Sequence, residues 1–478
     1  MRSILLAIAL LGTSPAIAGI TVAPHEFRAD NGTVVKAEYG KFEVPRHHAE
    51  PDGATFTLHL VRFPSTNPNP GSPIVYLAGG PGGSGISAAE GPRFELFMAL
   101  REVADVIALD QRGTGASAVG PDCQPPLTAF AGRVLTQDTF EAYLDQAASY
   151  CRAWWKDQAV DLSAYTTMES AADLEILRRQ IGAGKLNLWG ISYGTHLALA
   201  AARQMGDRID RMVLASVEGT DQTLKLPAHT DAFLGRVNAL LQSHPKAHNL
   251  PPLPDLMRHV LGKLEQEPVK VTFVPEDGIK PVTMTLGAYP VRLFTASGLI
   301  KNPEDIRNLP GLYAMMAMGN YQIVARELDK SVASGGMAFS PMSVGMDIAS
   351  GVSPERLATF REQAKTAILG DVLNFPLPRF LGKFDVPDLG EAFRAPVKTS
   401  APVLVLTGTL DGRTYPDEHR EILDALENGQ QLVIENAGHD LFLSDPRVGG
   451  AIVDFFSGRK VDAKIITIPP PEFALDPP

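Results

Sequence analysis

Residues 187–200 read NLWGISYGTHLALA, an apolar run that passes through Gly190-Ile191-Ser192-Tyr193-Gly194 into a string of small helix formers. The motif G-x-S-x-G is short, and small residues at such a junction also serve close packing. Its setting is more specific. LNLWG reads as a strand and THLALAAARQM as a helix, the context a nucleophile elbow requires. There a tight turn lifts a serine hydroxyl above a sheet, and glycines flank it because strand and helix backbones crowd one another. The helix amino terminus favours negative charge developing at that point. Ser192 is therefore the candidate nucleophile.

A serine hydroxyl attacks poorly unless a histidine takes its proton and an acid orients that histidine. Of the eleven histidines, His439 follows a late apolar run (QLVIE, 431–435) in NAGHD, and Asp411 follows the preceding run (VLVLT, 403–407) in GTLDGRTYP. Taken singly, these are a loop histidine and a turn-forming aspartate. Taken together, Ser192, Asp411 and His439 have the chain order of an α/β-hydrolase triad, each at the carboxyl end of a strand. His196 lies in the helix after the elbow and reads as packing, and His419, in PDEHREILDAL, as a surface helix residue.

An oxyanion hole must complete the set. The Tyr193 backbone N–H is one donor. The run PIVYLA (73–78) leads into GGPGGSG, where Gly79 or Gly80 supplies a second, since Pro81 has no N–H. A phosphate cradle is excluded because no P-loop lysine follows and the spacing fits no dinucleotide fingerprint.

The same rhythm recurs along the chain. VADVIAL (103–109) runs into DQRGTGAS and RMVLAS (211–216) into VEGTD. Continuous apolar strands separated by helices describe an α/β fold, a mostly parallel sheet covered by helices on both faces, with sites at the strands' carboxyl ends. FEVP and ATFTLHLVRF suggest an antiparallel hairpin before it. Between about 220 and 394 the rhythm gives way to helical patterns, a strand-like pair (VKVTFV, PVTMTLG) and methionines at 315, 316, 318, 337, 342 and 346. The expected organisation is a core over 19–219 and 395–460, a mainly helical lid over 220–394, and an extended tail over 461–478.

The first 18 residues carry Arg2, an apolar run from Ile4 to Leu11, and Ala16-Ile17-Ala18. These are the parts of a cleavable export signal, and the run is too short to span a bilayer. Periplasmic or secreted localisation is expected. Net charge is −11, which disfavours nucleic acid or an anionic membrane as partner. The two cysteines, Cys123 and Cys151, are expected to bridge in an oxidising compartment. Closing a loop of about 29 residues is worth about 3.6 kcal/mol in the chain-entropy picture. Two cysteines without nearby histidines make no zinc site, and neither metal nor organic cofactor is called for.

GGPGGSG, DQRGTGAS, GISYGT, GTLDGRTYP and GHD together resemble the proline iminopeptidase and tripeptidyl aminopeptidase family of α/β-hydrolases. The likeness covers about 73–216 and 401–456 and thins out in the lid. It implies removal of an amino-terminal residue or short peptide through an acyl-enzyme. It also implies a paired Cys123 and Cys151, and a supporting role for Asp110 and Arg112. Two departures stand out. Ala78 occupies the place of a histidine that often precedes GGPG, and Met346 precedes Asp347 where exported relatives carry a cysteine. An aminopeptidase must hold a free ammonium with a carboxylate, for which Glu218, where the lid departs, and Asp347 are candidates. A carboxylesterase or lactonase with the same triad is the alternative, and a catalytically silent binding protein a further one. The expected partner is a peptide or ester small molecule, and oligomeric state is left open.

Overall fold

The computed structural model describes residues 19–475 apart from 277, 279 and 334–336. The expected export signal, residues 1–18, lies outside them. Strands β1 (Thr21–Arg28), β2 (Val34–Pro45) and β3 (Thr55–Phe63) form an antiparallel meander. β3 alternates buried with partly exposed residues over most of its length, as a sheet with one solvated face does.

The apolar runs that follow become β4 (Ile74–Leu77) and β5 (Val106–Asp110), both buried throughout. A two-residue strand, β6 (Val134–Leu135), belongs to a smaller sheet. The main sheet continues with β7 (Leu186–Ser192) and β8 (Ile209–Val217). After the insertion, which holds the hairpin β9 (Val269–Phe273) and β10 (Val282–Leu286), it resumes with β11 (Val403–Gly408), β12 (Gly429–Glu435) and β13 (Ile465–Thr467). The ten strands lie in the order β1-β2-β3-β5-β4-β7-β8-β11-β12-β13. Every pair from β5 onward is parallel. β8 and β11 pair directly, Met212 beside Val403, so the lid leaves and returns at adjacent strands.

Apolar clusters lie on both faces of the sheet, one around Leu188, Leu197 and Val405, the other around Tyr76, Trp189 and Leu406. A third belongs to the insertion. The helix Leu253–Gln266 shows how it is built: a proline in the first turn, then Leu253, Leu256, Met257, Val260, Leu261 and Leu264 buried on one face at helical spacing. Each such side chain contributes about 1.5–3 kcal/mol on burial, and a charge at Val260 would break the face.

The insertion's cluster also takes Phe140, Tyr143 and Leu144 from the helix Gln137–Asp157, which precedes β7 in the chain. β6 pairs with β10, and the Cys123–Cys151 disulfide ties the loop after β5 to this helix. The lid thus rests on a foundation drawn from the first half of the chain.

Candidate active site

Ser192 ends β7 with φ +55° and ψ −129°, and the helix Tyr193–Met205 starts at the next residue. Left-handed backbone at a non-glycine residue costs about 1–3 kcal/mol and persists only where the surroundings enforce it. Here the crowding is severe, since a Cβ on Gly194 would lie 2.0 Å from the Leu77 carbonyl oxygen. As the first helical residue, Tyr193 has no intrahelical acceptor for its N–H. Thr195 Oγ1 donates to the Ser192 carbonyl (2.7 Å) and accepts from Glu218 N–H (2.8 Å), coupling the elbow to the end of β8.

The loops after β11 and β12 bring Asp411 and His439 together. Asp411 is fully buried. Its Oδ1 accepts from the N–H groups of Arg413 (2.8 Å) and Thr414 (2.9 Å), and its Oδ2 from Thr414 Oγ1 (2.7 Å). His439 Nδ1 lies 3.0 Å from both carboxylate oxygens. Burial alone would raise the Asp411 pKa. The charge and hydrogen bond of His439, the charge of His419 and the Thr414 N–H outweigh it and hold the group well below the usual carboxylate range. An ionised carboxylate only accepts, so Nδ1 carries the proton and Nε2 is left as the basic nitrogen.

The His439 backbone is pinned at both ends. Its N–H donates to Lys301 O (2.9 Å) and its carbonyl accepts from Ser216 Oγ (2.8 Å). His419 is not the surface residue expected: it is fully buried, with Nδ1 2.9 Å from Thr407 Oγ1, because its helix packs against the sheet. Burial depresses its pKa to about 4, so it stays neutral behind Asp411.

Ser192 and His439 line one cavity of about 530 Å³, together with Gly80, Pro81, Glu218 and Asp347. No hydrogen bond joins Ser192 Oγ to the imidazole; such bonds commonly tighten only with substrate in place. The glycine loop packs directly on the elbow, since a Cβ on Gly79 would lie 2.8 Å from the Ile191 carbonyl oxygen. Its support comes from a different quarter than the histidine replaced by Ala78. Gln111 Nε2 donates to the Ala78 carbonyl (3.1 Å), and Ser343 Oγ, from the lid, to the Pro81 carbonyl (3.0 Å). Asp110 accepts from Ser84 Oγ (2.6 Å) and Ala116 N–H (2.8 Å), and the buried Arg112 pairs with Asp173. Both brace loops.

Glu218 is buried and ion-paired with Lys225 Nζ at 2.8 Å. Asp347 projects from the helix Pro341–Ser350 into the same cavity. Burial first, then the charge of Glu218, push its pKa up to about 7, with Lys225 opposing. A second cavity of about 320 Å³, lined by Phe339, Val344, Phe375 and Phe380, shares Ser343 and Asp347 with the first. Lys225 and Ser216 carried no motif by which sequence reasoning could find them, whereas Gln111 stands in DQRGTGAS between the two residues given a supporting role. Thr414 likewise stands in the DGRT turn that carries Asp411. Among the described residues no group of three or more His, Cys, Asp or Glu is arranged to hold a metal, and no helix is long and apolar enough to cross a membrane.

This architecture is that of an α/β-hydrolase, and family profiles agree. One described as the alpha/beta hydrolase fold matches residues 72–270, and one described as TAP-like protein matches 383–465, the segment that carries Asp411 and His439. The chain has the α/β-hydrolase fold, and over these two segments it is similar to the proteins those profiles describe. It is 32% identical over 181 residues to serine protease Hip1 of Mycobacterium tuberculosis, covering 37% of this chain and 35% of that protein. It is 29% identical over 186 residues to the tripeptidyl aminopeptidase of Streptomyces coelicolor, covering 37% of this chain and 34% of that one. These matches span about a third of the relatives' length. Among solved structures, a proline iminopeptidase-related protein from Thermus thermophilus aligns with TM-score 0.41 and 16% identity over 89% of this chain and 97% of its own.

Proposed function

We propose that the protein is a serine aminopeptidase that releases an amino-terminal residue or short peptide through an acyl-enzyme. The observation that carries this reading is the Asp411–His439 hydrogen-bonded pair opening, with the strained Ser192, onto one cavity that also holds Glu218 and Asp347. Ser192 Oγ attacks the carbonyl carbon as His439 Nε2 takes its proton, and ionised Asp411 stabilises the imidazolium. The N–H groups of Tyr193 and of Gly79 or Gly80 hold the oxyanion. His439 then protonates the departing amine, the C–N bond breaks, and a water activated by the same nitrogen releases the acyl group.

Glu218 and Asp347 hold the substrate's ammonium. Lys225 already offsets the charge of Glu218, so Asp347 supplies the uncompensated charge once it ionises. The disulfide supports export to an oxidising compartment. Matched peptides with free and acetylated amino termini test the reading. Turnover should require the free amine, and equal hydrolysis of both would contradict it.

A further inference from the structure

The cavity wall carries charges of both signs. Glu218 leaves β8, beside the Ser192 elbow, and Asp347 comes from the lid helix whose Ser343 touches the glycine loop after β4. Arg413 and Lys301 line the same cavity, Arg413 from the loop after β11 and Lys301 against the loop after β12 that carries His439. Each is tied to the proton-transfer pair: Arg413 N–H donates to Asp411, and the Lys301 carbonyl accepts from His439 N–H. Lys225 is spent on Glu218. Neither Lys301 nor Arg413 makes an ion pair with a carboxylate among the described residues. Asp305 feels Lys301 only at longer range, and Arg413 commits one N–H to the Ala296 carbonyl (3.2 Å).

We propose that Lys301 and Arg413 form a subsite for a carboxylate on the leaving side of the scissile bond, so that the preferred substrates are short peptides with a free carboxyl terminus. The inference rests on the aminopeptidase reading and names its substrate class. A departing amine must lie beside the imidazole that protonates it, and in a leaving amino acid or dipeptide the carboxylate follows within a few bonds. That places it near the two free cations. Guanidinium and ammonium donors bind carboxylate with charge-assisted hydrogen bonds, and the ammonium at the other end of the substrate meets Glu218 and Asp347. The charge pattern of the wall is thus complementary to a small zwitterionic peptide.

The test uses the full chain with free-amine peptides that share an acyl residue and end in either a carboxylate or a carboxamide. The carboxylate form should show kcat/KM higher by about tenfold or more, the worth of a charge-assisted contact. In Lys301→Ala with Arg413→Gln the ratio should fall towards one. In Lys301→Glu, where Arg413 faces the new carboxylate, it should likewise fall towards one, with the carboxamide peptide reporting in each variant that the site still turns over. Equal rates for both peptides in the unaltered protein would overturn this subsite while leaving the aminopeptidase reading intact. Failure to cleave any peptide, with aryl esters still hydrolysed, would overturn both.

Discussion

One wall of the cavity is made by the ends of buried parallel strands and the other by the insertion. Ser192 ends β7, and Asp411 and His439 follow β11 and β12, strands whose register is set by pairing. Asp347, Phe375 and Leu377 come from segments with an apolar core of their own. The first wall holds the groups proposed to move protons, where small displacements would be costly, and rigid elements hold them. The second holds the groups proposed to meet the substrate, and the helix of Asp347 also packs Met342 and Met346 into one of the sheet's clusters. On the proposed reading, substitutions that keep this packing should separate reaction from selectivity.

The sharpest test of that separation is Asp411→Asn. With the tautomer of His439 no longer fixed, kcat should fall by about 10⁴-fold while KM barely moves, as steady-state assays would show. A loss under tenfold would mean that the strand-end wall does not run the reaction. Next, Cys123→Ser with Cys151→Ser loosens the foundation of the lid. It should cost about 2–4 kcal/mol, seen as a lower denaturation midpoint with early proteolysis within the insertion. Uniform destabilisation of sheet and lid would blur the two regions into one.

Asp347→Asn should raise KM for free-amine peptides by about tenfold, read by comparing free and acetylated substrates. This position also carries a pH signature, with Glu218 and Lys225 as its charged neighbours. The native state keeps the Asp347 proton up to about pH 7, whereas the unfolded chain loses it near the ordinary value of 3.8. Native stability from this group is therefore full below that value and is lost as pH rises through about 7. Binding of the ammonium should strengthen over the same rise, and the asparagine variant should flatten both trends. The smallest effect is expected for Ser216→Ala, which releases the His439 carbonyl. One hydrogen bond predicts about a fivefold lower kcat, with KM unchanged.

The strand-end wall was legible because its signals are local. Continuous apolar runs stop at glycine-rich turns, and Ser192, Asp411 and His439 stand in those turns. The lid was legible only as a change of rhythm. Helical spacing says which face is apolar but not what covers it, so nothing marked the helix Gln137–Asp157 as part of the lid's core. His419 misled for a related reason. Asp417, Glu418 and Arg420 around it look like a solvated helix, yet Glu418 is itself buried against Arg356. Lone cations such as Lys225 and Lys301 have no period and no motif, and although Arg413 stands in the DGRT turn, only the folded cavity gathers the three.

The most direct test of the central claim is covalent labelling. A fluorophosphonate should modify the protein once, with peptide mass spectrometry placing the adduct on Ser192, and labelling should vanish in Ser192→Ala and slow sharply in His439→Ala. An adduct on another serine, or undiminished labelling of Ser192→Ala, would contradict the account.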